Sequence, residues 1–104
     1  MAKKIPPTHP GDVLLEDIMK PLGLSANKVA MAMRVPLTRI TELVHRQRAV
    51  TADTALRLAK CFGTTAQFWL NLQAKYDLAV AEGEKSAQIA REVLPLREVT
   101  AHEG

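Results

Sequence analysis

An all-α fold is what this sequence predicts, and three observations predict it. Apolar residues recur at intervals of three and four along successive segments. Most of those segments open on Ser, Thr or Pro and close on Gly or Pro. No segment alternates apolar and polar residues as a half-buried strand does. With 104 residues, 47% of them apolar and 24% charged, the chain has the size and composition of one folded domain. That excludes wholesale disorder, a collagen-like fibre and a low-complexity chain.

The elements follow in order. Pro6 and Pro7 mark residues 1–9 as an extended, mobile arm that ends where Pro10 can occupy a first helical turn. In the helix that follows, Val13, Leu14, Ile18 and Leu22 keep one apolar face. Asp12, Glu16 and Asp17 lie towards its positive end, and Pro21 and Gly23 are expected to stop it. Ser25 is placed to cap a second, short helix with Val29, Ala30 and Met33 inward, interrupted at Val35 and Pro36. A third short helix runs from about Leu37 to Val44, with Ile40, Leu43 and Val44 inward and Thr38, Arg39, Thr41 and Glu42 outward. Thr51 caps a fourth, whose apolar positions are Ala55, Leu56, Leu58, Ala59 and Phe62 and whose left-handed C-terminal residue is Gly63. Thr65 opens a fifth, in which Phe68, Trp69, Leu72, Tyr76 and Val80 recur until about Gly83. From Glu84, the residues Ile89, Val93 and Leu94 suggest one weak further helix that Pro95 ends, with 96–104 a polar tail. The expected organisation is thus an arm (1–9), a helical domain (10–83) and a C-terminal helix and tail (84–104).

The net charge of +3 decides little, but its distribution does. Residues 20–60 hold eight Lys and Arg against two acids, or +6, while residues 1–19 carry −1 and residues 61–104 carry −2. A polyanion is a natural partner for the middle segment, and a solvated basic face is the alternative. The same segment contains two short helices joined by a tight turn with an apolar element behind. In a twenty-residue unit counted from Ala26, the residues Val29, Ala30, Met33, Val35, Ile40 and Leu43 fall where two steeply crossed helices need apolar contacts. Such a pair lets its second helix project into the major groove of a duplex.

On these residues the stretch resembles the helix-turn-helix domain of the xenobiotic-response-element type, shared with phage repressors. The runs HPGDVLLEDIMKPLGLS (9–25) and VTADTALRLAKCFGTTAQFWLNLQAKYDL (50–78) resemble, more narrowly, the HigA and VapI group of antitoxins, a likeness that covers residues 8–79. The resemblance implies a five- to six-helix bundle of the phage-repressor-like helix-turn-helix type. It also implies an antitoxin that binds a palindromic operator in double-stranded DNA, represses its own operon as a homodimer and neutralises a HigB-type toxin, an mRNA-cleaving endoribonuclease acting at the ribosome.

Carried over position by position, the resemblance assigns base contacts to Leu37, Thr38 and Arg39, with Thr41 and Glu42 one turn on. A guanidinium can meet a guanine edge with two hydrogen bonds, which makes Arg39 the foremost of these. Ser25, Ala26 and Lys28 at the start of the preceding helix, and Arg46, Gln47 and Arg48 after the recognition helix, are expected to meet the DNA backbone. Many relatives have Gly where Arg34 stands, and Asn-Gly where His45 and Arg46 stand, because such turns require positive backbone angles. Phe68, Trp69, Leu72 and Tyr76 read either as core or as a dimer seam, and one helix can serve both. Residues 84–104 are candidates for that seam or for a toxin contact.

No enzymatic constellation is apparent. His9, His45, His102 and Cys61 lack metal-ligand spacing, and there is no phosphate-binding glycine loop or nucleophile motif, so no cofactor, metal or catalytic residue is expected. His9 reads as a helix-start residue and Cys61 as a buried, inert thiol. A single cysteine, no apolar run of membrane-spanning length and a start without a signal-peptide core lead to the expectation of a cytoplasmic protein without membrane contact. Two other functions stay open at this level: a module whose main task is masking a small basic nuclease, and a solitary regulator without a toxin.

Overall fold

The computed structural model describes residues 6–102, side chains at 100–102 excepted, and every regular element among them is helical. The first helix, α1 (residues 10–22), is built of Pro10–Asp12, a π-helical stretch Val13–Met19, and Lys20–Leu22. It is followed by α2 (Ala26–Met33), α3 (Leu37–Val44), α4 (Ala52–Phe62), α5 (Ala66–Glu92) and α6 (Leu96–His102). One apolar core joins α1 to α5: Leu14, Met19, Val29, Ala30, Met33, Ile40, Leu43, Val50, Ala55, Leu58 and Trp69 are all buried.

The π-helical stretch changes which residues of α1 point inward. With bonds such as Lys20 N–H to Leu15 C=O, five residues back, a shared face recurs every fifth rather than every fourth residue. Leu14 is therefore joined in the core by Met19, and Ile18, which four-residue spacing puts inward, is only half-buried. Pro21 does not stop the helix. It lies in the last turn, where the widened coil relieves the ring's clash with the carbonyl four residues back, and the end comes at Gly23, with φ +64°.

Four helices end by the same device. A residue in the left-handed conformation is followed by an N–H that returns to a carbonyl five residues back: Leu24 to Met19, Val35 to Ala30, Gln47 to Glu42 and Thr64 to Ala59, at 2.7–3.2 Å. Glycine fills that position at Gly23 and Gly63, but Arg34 (φ +59°) and Arg46 (φ +61°) fill the other two. An L-residue there costs about 1 kcal/mol. Arg46 gains an ion pair in exchange, its Nε lying 2.9 Å from Asp12 Oδ1.

Where the arm meets the body, His9 is buried and caps α1. Its Nδ1 accepts the Gly11 N–H (2.9 Å), the Asp12 carboxylate accepts the His9 N–H (3.1 Å), and the ring packs edge-on against Tyr76 of α5 at 4.7 Å. The mobile arm expected over residues 1–9 falls partly outside the described residues, at 1–5. Burial is the largest influence on the His9 imidazole and lowers its pKa, outweighing the nearby carboxylate of Asp12. Because the folded-state pKa lies below the ordinary value of 6.5, the unfolded chain binds the proton more readily. The stability this site provides is complete above that value and lost as pH falls through it. Lowering the pH from 7.5 to 5.5 should thus lower the urea midpoint of the parent chain more than that of His9→Asn, which keeps a capping side chain without the titration. Parallel pH profiles for the two would refute the assignment.

Further along, Leu56 is exposed rather than inward, and Val50 and Gln73 are buried although no periodicity marks them. Gln73 Oε1 accepts the Val50 N–H at 2.8 Å, which ties the 45–51 loop to α5. Nor does the fifth helix end at Gly83. Gly83 has helical backbone angles with open space around it, so α5 continues unbroken to Glu92, about 40 Å in all. Every residue from Ala81 to Val99 is exposed, and the radius of gyration, 18.7 Å, exceeds the ~13 Å of a compact chain this long. The expected polar tail after Pro95 is helical over Leu96–His102, and residues 103 and 104 lie outside the described residues.

Candidate nucleic-acid interface

α2 and α3 are joined by Arg34, Val35 and Pro36, and their facing sides are closed by Val29, Ala30, Met33, Ile40 and Leu43. Ser25 begins α2 as its N-cap, its Oγ accepting the Lys28 N–H at 3.1 Å. That lone pair is occupied, but the hydroxyl hydrogen stays available to an external acceptor. Ala26 is half-buried against the core, and Lys28 is exposed.

The outer face of α3 carries the five residues expected to meet bases. Leu37 is 45% exposed, Thr38 is exposed, and Arg39, Thr41 and Glu42 are half-buried. Thr41 Oγ1 donates to Thr38 C=O (3.2 Å), leaving the oxygen of Thr41 as an acceptor. The charged members are paired. Arg39 Nη1 lies 2.9 Å from Asp53 Oδ2, and Arg48 approaches Glu42 Oε1 at 2.8 Å through Nη2. Arg46 is held by Asp12, and Gln47 and Arg48 are exposed beside it. Burial pushes the Asp12 carboxyl up, but hydrogen bonds from Arg46 and from the His9 N–H, with the charges of both, hold it below the ordinary carboxylate value. At Asp53 the hydrogen bond from Arg57 leads the influences that lower its pKa. Both are carboxylates at neutral pH, so the arginines face solvent in fixed directions rather than splayed.

Sequence reasoning missed three participants. Arg57 Nε meets Asp53 Oδ2 at 3.0 Å while its Nη1 donates to Met33 C=O (2.9 Å) at the end of α2. The four-residue spacing of Asp53 and Arg57 on one helix is a local signal that could have found this pair. Asp12 and Arg46 stand 34 positions apart, a separation no spacing rule bridges. Of the candidate core or seam residues, Trp69 is fully buried with Nε1–H donating to Thr64 Oγ1 (2.7 Å), and Leu72 and Tyr76 are half-buried. Phe68 is 42% exposed and meets Trp69 edge-on at 5.1 Å. Cys61 is half-buried, and burial raises its thiol pKa.

Two crossed helices joined by a three-residue turn, the second with a polar, arginine-framed outer face, define a helix-turn-helix protein. The profile of the family described as helix-turn-helix matches residues 15–69. Virulence-associated protein I of Dichelobacter nodosus is 51% identical over 84 residues, covering 81% of this chain and 78% of its own. Among solved structures, an addiction module antidote protein of the HigA family from Coxiella burnetii is 45% identical with a TM-score of 0.83, covering 88% of this chain and 99% of that one. The antitoxin HigA of Pseudomonas aeruginosa, solved with the higBA promoter, is 39% identical with a TM-score of 0.84, covering 86% and 98%. The chain belongs to the helix-turn-helix family and, within it, to the HigA/VapI antitoxin group. Members of this family are DNA-binding regulators and antitoxins, not enzymes. Among the described residues, no helix is long and apolar enough to cross a membrane.

Proposed function

We propose that this chain is the antitoxin of a type II toxin–antitoxin module. In this reading it binds a palindromic operator in its own promoter as a homodimer and neutralises a HigB-type mRNA-cleaving toxin in the cytoplasm. The observation that carries the reading is the outer face of α3: Leu37 and Thr38 are open to solvent, and Arg39, Arg46 and Arg48 frame them on an ion-paired scaffold. It is supported by the similarity of the whole body to a HigA solved with its promoter. One such helix reads one half-site, and two successive major-groove turns lie ~34 Å apart, so specific binding needs a two-fold partner.

Leu37, Thr38, Arg39, Thr41 and Glu42 then face base edges, while Ser25, Ala26, Lys28, Arg46, Gln47 and Arg48 follow the phosphates. Fluorescence anisotropy with the promoter duplex and a scrambled duplex, at several salt concentrations, tests this assignment. Arg39→Ala should reduce the promoter-to-scrambled affinity ratio by about tenfold, within the ~1–3 kcal/mol of a bidentate base contact. Arg48→Ala should weaken both duplexes alike and reduce the salt slope by about one. Equal affinity of the parent chain for the two duplexes would overturn the DNA reading. Co-expression with a HigB-type toxin tests the other half: growth arrest by the toxin, relieved by this chain, is the expected result.

A further inference from the structure

The carboxylate of Asp53 lies outside the helix pair, on the second residue of α4, yet it is the point at which three elements meet. Its Oδ2 accepts from Arg39 Nη1 of α3 at 2.9 Å and from Arg57 Nε at 3.0 Å. Arg57 in turn donates through Nη1 to Met33 C=O at 2.9 Å and to Arg34 C=O at 3.4 Å. These are carbonyls at the negative end of α2, where a guanidinium is held by both hydrogen bonds and the helix dipole. The chain of contacts therefore runs from the end of α2 through Arg57 and Asp53 to the start of α3, and Arg39 is its last member. Among the three arginines that frame α3, Arg39 has the least exposed side chain, 28% against 41% for Arg48 and 54% for Arg46.

From this geometry we propose that Asp53 is a specificity-determining positioning residue, which fixes the guanidinium of Arg39 for a base edge. The proposal rests on the reading of α3 as the helix that reads DNA. Arg39 meets Asp53 through Nη1, whereas Nε and Nη2 share a different edge of the planar group. An edge with two adjacent donors is what the O6 and N7 acceptors of a guanine require. A long side chain held in advance loses less freedom when it binds, which favours the correct base over a phosphate oxygen that any rotamer can reach. Asp53 is itself 58% exposed and supports no part of the core, so its removal leaves the body folded.

A purely repulsive role for the same carboxylate predicts something different. An acidic brake, when neutralised, tightens binding to every duplex by the same factor. A positioning residue, when neutralised, lowers affinity for the operator while affinity for scrambled DNA holds or rises. The experiment measures both affinities for the parent chain, Asp53→Asn, Asp53→Ser, Arg39→Ala and the double variant Arg39→Ala with Asp53→Asn, with melting temperatures recorded for each. A fall of about tenfold in the operator-to-scrambled ratio for both Asp53 variants, with no further fall in the double variant beyond Arg39→Ala, is the expected result. An unchanged ratio in the Asp53 variants, or additive losses in the double variant, would overturn the proposal while leaving the DNA reading intact. Absence of operator preference in the parent chain would instead overturn the DNA reading itself.

Discussion

Gly11→Ala is expected to lower the melting temperature by more than about 10 °C, although it adds a single methyl group to a helix, where alanine is intrinsically favoured. The new Cβ would sit 1.8 Å from Leu43 C=O and 2.7 Å from its carbonyl carbon, both backbone atoms near the end of α3. A flexible side chain could step aside; a helix terminus cannot, unless α3 moves away from α1. Overpacking of a closed core costs about 1–3 kcal/mol and more where backbone must shift. One kcal/mol corresponds to roughly 4–8 °C for a body of this size. Gly83→Ala supplies the control. It also sits in a helix, but a Cβ there meets nothing within 4 Å, so that variant should be as stable as the parent or better by up to about 1 kcal/mol. Thermal unfolding followed by circular dichroism decides the matter. A Gly11→Ala protein that melts within 2 °C of the parent would mean that α1 and α3 are not in contact as described.

Trp69→Ala should cost about 3–5 kcal/mol, against a total stability of about 5–15 kcal/mol for a domain of ordinary stability. Trp69 is the largest fully buried side chain and lies where α4 and α5 close over the core. Truncation leaves a cavity that Phe68, half-open to solvent and in contact through one edge, is poorly placed to fill. The indole also directs its N–H to Thr64 Oγ1 at 2.7 Å, which fixes the ring against the turn between the two helices. Trp69→Phe should therefore lose much less, because most of the volume is kept and the half-exposed Thr64 hydroxyl can turn to water. Urea unfolding gives both numbers. Losses of similar size for the two variants would show that the hydrogen bond, not the volume, carries the stability.

The parts of this molecule that were legible in its sequence are those that local rules govern. Ser25, Thr51 and Thr65 cap helices as their chemistry dictates, and Val29, Ala30, Met33, Ile40 and Leu43 close the helix pair. The conformations of Arg34 and Arg46 were also legible, as positions where many relatives carry glycine. What escaped had either a different period or no period. Met19 was hidden because a π-helical turn recurs every fifth residue, and Gln73 because a buried glutamine becomes intelligible only beside the Val50 N–H that it accepts. The overextended reach of α5 escaped for another reason. Gly83 is a frequent helix terminator, but it stops a helix only where a left-handed angle is adopted, and flanking Ala, Glu and Lys residues favour continuation. The outward positions Thr38, Arg39, Thr41 and Glu42 could be named from the helix register, and the expected DNA contacts only from the family resemblance. Of the acids that orient them, Asp12 reads in the sequence as a charge at a helix start and Glu42 as a base contact, and no spacing rule reveals their pairing with Arg46 and Arg48 or that of Asp53 with Arg39.

The unsupported reach of α5 also has a thermodynamic consequence. Up to Val80 one face of α5, carrying Trp69, Leu72, Gln73 and Tyr76, packs on the body, and opening that face requires the body to unfold. From Ala81 to Glu92 every residue is exposed among the described residues, so the hydrogen bonds there are sustained mainly by helix propensity, which is marginal in water for a segment this short. Amide exchange along one continuous helix should then fall into two regimes, slow in the first half and progressively faster towards Glu92. The calorimetric enthalpy of unfolding belongs to the body rather than to all 104 residues.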